Sequence, residues 1–443
     1  MRHFNKNVTK KFSLLMVGAM LATSVSGCGV GNPLSHAGEE KPTTDYSLNS
    51  NIGTGTDTDA LSQSGDSDGS DGDFDINSKE VERKTKEIEG LVDKYFYFDE
   101  DEEKREESYY DGIMKGLDDP YSVYYTKKEY EKMLEDDSGE FQGIGATVSK
   151  NIDDGTVYIV QPIKNSPAEK AGLLPNDVIV AVDDLEVTSD MELDFVVDHI
   201  RGDAGTDVVL KIYREGEKDF LYITVTRDVV QTFSVESEML DDIGYVRVSE
   251  FIDNTPKLFK EAVDDVQSKG AKGMIVDLRG NPGGSLNAVI EMLDYIVDDN
   301  AQAEGAKSPG MLLEIKDKND NVMDDYVCSD GHSVDIPMVV LVNGNSASAS
   351  EIFSGCVKDY GIATVMGTKT YGKGIVQSII PLKDGSAIKV TIAKYFLPSG
   401  ADIHKVGVEP DVEVELAESL KNKANVELKD DNQVQEAIKK LDK

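Results

Sequence analysis

Positive charge is what this 443-residue chain lacks most: 46 lysines and arginines stand against 84 aspartates and glutamates, a formal net charge of -38. Phosphate binding needs a basic stripe and none is visible, so nucleic acid is excluded as a partner. The acidity bears on solubility and on repulsion from anionic surfaces, not on fold. Long apolar runs are also missing: beyond the first 28 residues no segment could span a membrane. Cysteine is scarce, with Cys28, Cys328 and Cys356 the whole supply, too few for a disulfide framework in so long a chain. Whether Cys328 and Cys356 are bonded, or are two buried thiols, stays open. Histidine is scarce too. Past the leading segments there are only His199, His332 and His404, and none sits in a catalytic-looking turn. A serine–histidine pair is weakly supported, and no metal or cofactor is implied.

What is present begins with a leader. Arg2, Lys6, Lys10 and Lys11 precede a short apolar run, Phe12 to Val25, which ends in V-S-G-C at Cys28. That run is shorter than the ~20 apolar residues of a spanning helix. It resembles a bacterial lipoprotein signal, with cleavage just before Cys28 and a diacylglyceryl group on its thiol. The resemblance implies a signal peptide over 1–27 and a lipid anchor on the extracytoplasmic face of the bacterial cell membrane, where two acyl chains give stable attachment. Residues 28–78 are rich in Gly, Ser, Thr and Asp and read as a disordered acidic tether. Asp66, Asp68, Asp73 and Asp75 loosely resemble a calcium loop, but no register supplies its first acid, its glycine and its last acid together.

The remaining length suits two or three domains. Residues 79–138 read as an N-terminal helical segment, with Val81, Ile88, Leu91, Val92 and Tyr95 near a 3.6-residue period. A second helix runs through Tyr109, Ile113 and Leu117 to the stop at Asp118-Asp119-Pro120. Residues 139–228 are strand-rich, with T-V-Y-I-V-Q-P-I, D-V-I-V-A-V and D-V-V-L-K-I-Y-R, interrupted by a short helix with Ser166 as cap and Pro167 at its first position. From 229 to 416 strands and helices alternate, the pattern of a parallel or mixed sheet covered by helices. Asp384-Gly385 marks a hairpin. Residues 417–443 read as a charged helical tail.

Three turns in the alternating region carry the chemistry: D-L-R-G-N-P-G-G (277–284), N-G-N-S-A-S-A-S-E (343–351) and Y-G-K-G-I-V-Q (371–377). The first two follow strands, and crevices in open sheets lie at the carboxyl ends of strands. The second has the look of a strand-to-helix nucleophile elbow. Ser346, Ser348 and Ser350 are all candidates on chemistry alone, and Ser348 with Glu351 also reads as a helix capping box. A nucleophilic serine needs a base. Lys373 lies between two glycines at the head of an apolar strand, and two-residue alternation places Gln377 on its face, where an amide could orient the amine. Such a lysine must be neutral to accept a proton, so its site must lower its pKa.

Taken together these turns resemble the carboxyl-terminal processing (tail-specific) peptidases. So do G-L-D-D-P-Y-S-V-Y-Y, I-R-G-D-A-G-T and I-H-K-V-G-V-E-P-D, in the same order, over about residues 80–415. The resemblance implies Ser348 as nucleophile, Lys373 as general base and Gln377 as the group that holds it. The N–H of Ala349 and of Gly283 or Gly284 would form an oxyanion hole. Lys405 departs from the pattern, standing where many relatives have glycine. F-Q-G-I-G-A-T-V at 141–148 looks like the carboxylate-binding loop of a PDZ domain, with N–H groups around Gly143, Ile144 and Gly145 placed to hold a chain terminus. The implied fold class is α/β + β: a mixed α/β protease core with a crotonase/Clp-like sheet and helices, an inserted PDZ domain over 139–228, and the helical segment before it. The implied partners are protein or peptide substrates with free C-termini. A binding module that captures tails without cutting them is the alternative, and acyl-CoA chemistry on a related fold conflicts with secretion.

Overall fold

The computed structural model describes residues 78–152, 154–421 and 426–442. The leader, Cys28 and the acidic tether lie outside the described residues. Among the described residues no helix is long and apolar enough to cross a membrane.

Helices α1 (Lys79–Tyr95) and α2 (Glu102–Lys115) start on Ser78 and Asp101, whose side chains each accept a first-turn N–H. α1 buries none of its residues, so Ile88, Leu91 and Tyr95 face outward. A three-residue strand that the sequence pattern does not mark, β1 (Val123–Tyr125), comes next. It is followed by α3 (Lys127–Ser138), opened by a Thr126–Glu129 capping box and closed by Gly139 in the left-handed region.

The strand-rich segment runs β2 (Glu140–Gly143), β3 (Ala146–Lys150), β4 (Val157–Pro162), α4 (Pro167–Lys170), β5 (Val178–Val182), β6 (Leu185–Glu186), α5 (Leu193–Ile200), β7 (Asp207–Tyr213), β8 (Leu221–Thr226) and β9 (Asp228–Gln231). β3-β4-β5-β7-β8 form an antiparallel sheet with β3 at its edge. Alternate residues Val208, Leu210 and Ile212 meet Val157, Ile159, Val196 and Ile200 in a separate core. β2 pairs with β9, Glu140 opposite Gln231, so the insertion leaves and returns through one two-stranded stem.

The rest runs β10 (Val235–Leu240), β11 (Ile243–Val248), α6 (Thr255–Ser268), β12 (Gly273–Asp277), α7 (Leu286–Ile296), β13 (Met311–Lys316), β14 (Val322–Val327), β15 (Met338–Val342), α8 (Ala349–Asp359), β16 (Ala363–Gly367), β17 (Ile375–Pro381), β18 (Ala387–Phe396), β19 (Val412–Glu413) and α9 (Asn432–Leu441). The main sheet has the order β10-β11-β12-β15-β16-β19 and is parallel except for β10. Both faces are covered, which is why its strands read as unbroken apolar runs. Met274, Val276, Val340 and Val342 pack with α6, α7 and α8, whereas Ile275, Val339 and Leu341 pack with Val434 and Ala437 of α9. In the charged tail a 3-10 turn, Leu428–Asp430, precedes α9, and that helix is a layer of the core. β12 and β15 are parallel neighbours, Asp277 opposite Leu341, so their ends release the turns 277–284 and 343–351 side by side.

A second sheet joins β17 and β18 by the predicted Asp384-Gly385 turn and continues through β13 and β14. β1 also pairs with β18, Val123 opposite Lys389. The architecture is the expected mixed α/β unit carrying an antiparallel β insertion.

Candidate active site

Ser348 sits where β15 has turned back into α8, and its backbone has φ 53° and ψ -116°. A side chain in that region costs about 1–3 kcal/mol and persists only when the surroundings over-determine it. Here they do. Ser346 Oγ donates to the Leu278 carbonyl (2.8 Å), Ser350 Oγ to the Asn281 carbonyl (3.0 Å), and the Ala347 N–H to that same carbonyl (3.1 Å). These bonds fasten the elbow to the turn 277–284. They also use up the other two candidate serines, both fully buried, and leave Ser348 alone partly exposed.

The turn 277–284 is itself held from below. Arg279 forks onto Asp277 (2.5 and 2.9 Å) and reaches Asp431 (2.9 Å) and Gln433 (2.7 Å) beside α9. The fully buried Asn281 donates to the Val248 carbonyl (2.9 Å) and accepts the Gly283 N–H (2.8 Å). A Cβ on Gly283 would fall 2.8 Å from Ser348 Cβ, so this position admits only glycine. Sequence reasoning left Gly283 and Gly284 as alternative oxyanion donors. The structure separates them: the Gly283 N–H is spent on Asn281, whereas those of Gly284 and Ala349 have no acceptor among the described residues.

Glu351 does form the capping box with Ser348, and its carboxylate does much more. Oε2 accepts the N–H of Ser348 (2.9 Å) and of Lys373 (2.8 Å); Oε1 accepts the N–H of Gly372 (2.7 Å) and the Thr370 hydroxyl (2.5 Å). One buried side chain thus ties the serine elbow to the lysine turn. The buried Tyr395 repeats the link, its hydroxyl 3.2 Å from the Ser348 carbonyl oxygen and 2.5 Å from that of Lys373. Capping and nucleophilic roles are therefore compatible at Ser348. Glu351 was read from the sequence only as a cap partner, and Tyr395 carried no signal at all.

Burial pushes the Lys373 ammonium below its ordinary lysine pKa, the charge of Lys389 pushes the same way, and Asp119 and Glu351 pull back. Its Nζ makes no hydrogen bond among the described residues and rests 4.8 Å from the centre of the Tyr121 ring. Gln377 does not reach it; its Nε2 points to Thr391 Oγ1 at 3.5 Å. Lys373 itself lies outside β17, which starts only at Ile375, so strand alternation does not fix its side chain against Gln377. Lys405 has φ 61°, the conformation that favours glycine, and its N–H donates to the Gly372 carbonyl (2.8 Å) at the rim of this turn.

Of the histidines, His199 bonds its own helix (Phe195 carbonyl, 2.7 Å) and His332 stacks on Tyr295. His404 lies against Gly374, closer to the site than its sequence suggested, with a buried Nδ1 that has no partner among the described residues. Cys328 and Cys356 are free and buried. Asp294, Asp299 and Asp330 bring carboxylate oxygens within 4.8 Å of one another, but Asp294 and Asp299 already accept backbone N–H groups of the 329–331 loop.

In the β insertion, the loop between β2 and β3 is fixed by its carbonyls, which accept from Ala168 (to Ile144, 2.7 Å) and Ile163 (to Gly145, 2.9 Å). The N–H groups of Ile144 and Gly145 have no acceptor among the described residues. Gly145 has φ 73°, and a Cβ there would lie 2.4 Å from that of Ser166. These N–H groups, in residues that are themselves buried, stand without an acceptor among the described residues at the head of edge strand β3.

Residues 242–414 match the model of peptidase family S41, and residues 142–225 match a PDZ domain. A probable CtpA-like serine protease of Staphylococcus saprophyticus subsp. saprophyticus is 37% identical over 333 residues, 75% of this chain and 65% of the relative. The carboxy-terminal processing protease CtpA of Bacillus subtilis is 37% identical over 327 residues, 74% of this chain and 67% of that one. This chain thus spans about two thirds of the length of these relatives. A solved structure of a photosystem II D1 C-terminal processing protease is 30% identical, with 70% of this chain and 83% of that one covered and a TM-score of 0.41. With a paired serine elbow and lysine turn, the two family matches and the likeness to the Bacillus subtilis protease, the chain belongs to the PDZ-bearing carboxy-terminal processing proteases of peptidase family S41.

Proposed function

We propose that this chain is a serine endopeptidase that cuts extracytoplasmic proteins near their C-termini, with Ser348 as nucleophile and Lys373 as base, while its PDZ domain binds the substrate terminus. The observation that carries the pairing is the Glu351 carboxylate, which accepts the N–H of both residues. Ser348 Oγ attacks the scissile carbonyl carbon as its proton passes to neutral Lys373 Nζ. The developing oxyanion takes the N–H of Ala349 and Gly284. Lys373 then returns the proton to the leaving amine, and water repeats the sequence on the acyl-enzyme. Lys373 must leave the Tyr121 ring to do this, and catalytic hydrogen bonds commonly tighten only around bound substrate. Gln377 would accept from the ammonium so formed. The V-S-G-C leader supports attachment to the membrane through Cys28, on the extracytoplasmic face.

Lys373 accepts a proton only when neutral, and its neutral fraction grows with pH. The kcat/KM for a protein with an unstructured apolar tail is therefore expected to rise with pH through a value below the ~10.4 of a free lysine. Lys373→Met should lower it by about 10²–10⁴-fold. A flat profile together with an active Lys373→Met variant sinks the base assignment. If intact mass spectra show the tail bound but never shortened by wild-type protein, the non-cleaving reading replaces this one.

The PDZ assignment makes its own demand. Gly145→Val strains a left-handed backbone and drives a side chain into Ser166. It should raise KM about tenfold for a tailed protein, the equivalent of ~1.4 kcal/mol of carboxylate binding. Amidating the tail should do the same to wild type. Equal KM for amidated and free tails removes the loop from recognition.

A further inference from the structure

G-L-D-D-P-Y-S-V-Y-Y occupies residues 116–125. In the structure this stretch, which precedes the PDZ domain, lies in the catalytic centre. Asp119 Oδ2 accepts from Thr391 Oγ1 (2.6 Å) and from Ser122 Oγ (2.6 Å), and Ser122 Oγ accepts the Thr391 N–H (3.0 Å). Thr391 Oγ1 in turn faces Gln377 Nε2 at 3.5 Å, and the Tyr121 ring lies under Lys373 Nζ.

The chemistry of these groups gives the chain a direction. A carboxylate can only accept, so the Thr391 hydroxyl must spend its proton on Asp119. What Thr391 then offers Gln377 is a lone pair. Only the NH₂ end of the amide can meet it, which leaves the Gln377 oxygen free on the other side. An acceptor is what a lysine that has just taken a proton needs.

We propose that Asp119 is a positioning residue for the lysine base: through Thr391 it fixes which end of the Gln377 amide is available to Lys373, while Tyr121 seats the ammonium between turnovers. The proposal rests on the reading of Lys373 as base. The charged and titratable groups around Lys373 are Asp119 and Tyr121 before β1, Glu351 on α8, Lys389 and Tyr395 on β18, His404 against Gly374, and Tyr371, whose hydroxyl is 3.3 Å from that of Tyr121. Burial works against ionisation of Asp119, but the Ser122 and Thr391 hydroxyls and the Tyr121 N–H hold its carboxyl below its ordinary value.

Asp119→Asn keeps the shape and removes the fixed polarity, since an amide can donate as well as accept. With the full chain and a tailed protein substrate, kcat should fall about tenfold with KM unchanged. The acid limb of kcat/KM should move to lower pH by roughly half a unit, because a carboxylate and an oriented acceptor that both favour the ammonium are lost. Thr391→Val should lower kcat likewise, Thr391→Ser should recover most of it, and Tyr121→Leu should shift the acid limb downward through loss of the cation–π seat. A residue that merely docks β1 on β18 would cost melting temperature and leave the limb in place. Four results overturn the proposal while the dyad stands, each with Lys373→Met inactive: an unchanged kcat and limb in Asp119→Asn, a kcat loss there with no shift of the limb, an unmoved limb in Tyr121→Leu, or no recovery in Thr391→Ser. If Lys373→Met is itself active, the dyad reading falls first and leaves no base to position.

Discussion

Ser348→Ala is expected to remove tail cleavage, lowering kcat/KM by about 10⁴-fold or more, as loss of a catalytic nucleophile does. Two other serines stand within two residues, and neither can take over. The Ser346 and Ser350 hydroxyls are buried and already donate to the Leu278 and Asn281 carbonyls, the bonds that hold the elbow in place. The fold should survive, because alanine keeps the backbone and forfeits at most a helix cap, about 0.5–2 kcal/mol. Tail binding through the PDZ loop should survive as well. The measurement is intact mass of the substrate with time, with a melting curve as control. Undiminished cleavage by a folded Ser348→Ala protein would falsify the nucleophile assignment.

Glu351→Gln is the second large effect, and it should strike activity and stability together. All four groups around the wild-type carboxylate are donors: the N–H of Ser348, Gly372 and Lys373, and the Thr370 hydroxyl. A glutamine presents an NH₂ where one oxygen was, so two of the four lose their acceptor and one buried donor faces others. Stranded buried donors cost about 1–3 kcal/mol each, so a loss of ~2–4 kcal/mol in unfolding free energy is expected. The serine and lysine would then no longer share an anchor, and displacement of about 1 Å at a reacting centre costs ~10²-fold in rate. Chemical denaturation and kcat on the same preparation test both halves. A variant of normal stability and normal kcat would show that Glu351 is only the helix cap its sequence spacing suggests.

Much of this was legible in the sequence. Strand–helix alternation over 229–416 marked the helix-covered sheet, the Asp-Gly turn marked the β17–β18 hairpin, and the turns 277–284 and 343–351 fell where strands end because parallel sheets expose those ends together. What stayed hidden depends on partners distant in sequence. Tyr395 lies inside an ordinary-looking strand, and nothing local says that its hydroxyl bridges the Ser348 and Lys373 carbonyls. Asp119 looked like a helix stop beside Pro120, because its bond to Thr391 spans 272 positions. Two-residue alternation pairs Gln377 with Lys373, but β17 starts only after that lysine, and the contact Gln377 makes is with Thr391. What distinguishes Gly283 from Gly284 is the side chain of Asn281, which claims one N–H and not the other.

The pairing of β1 with β18 also sets when the enzyme can exist. Asp119 and Tyr121 leave the ribosome long before Thr391, and the whole PDZ domain is made between them. β1 therefore waits, unpaired, through most of synthesis, and the lysine turn has no amide relay until Thr391, near the end of the chain, has emerged. Arg279 waits longer still, for Asp431 and Gln433. A growing chain of this design carries its serine elbow without a finished centre around it, so the pieces of the site come together only when the chain is nearly complete.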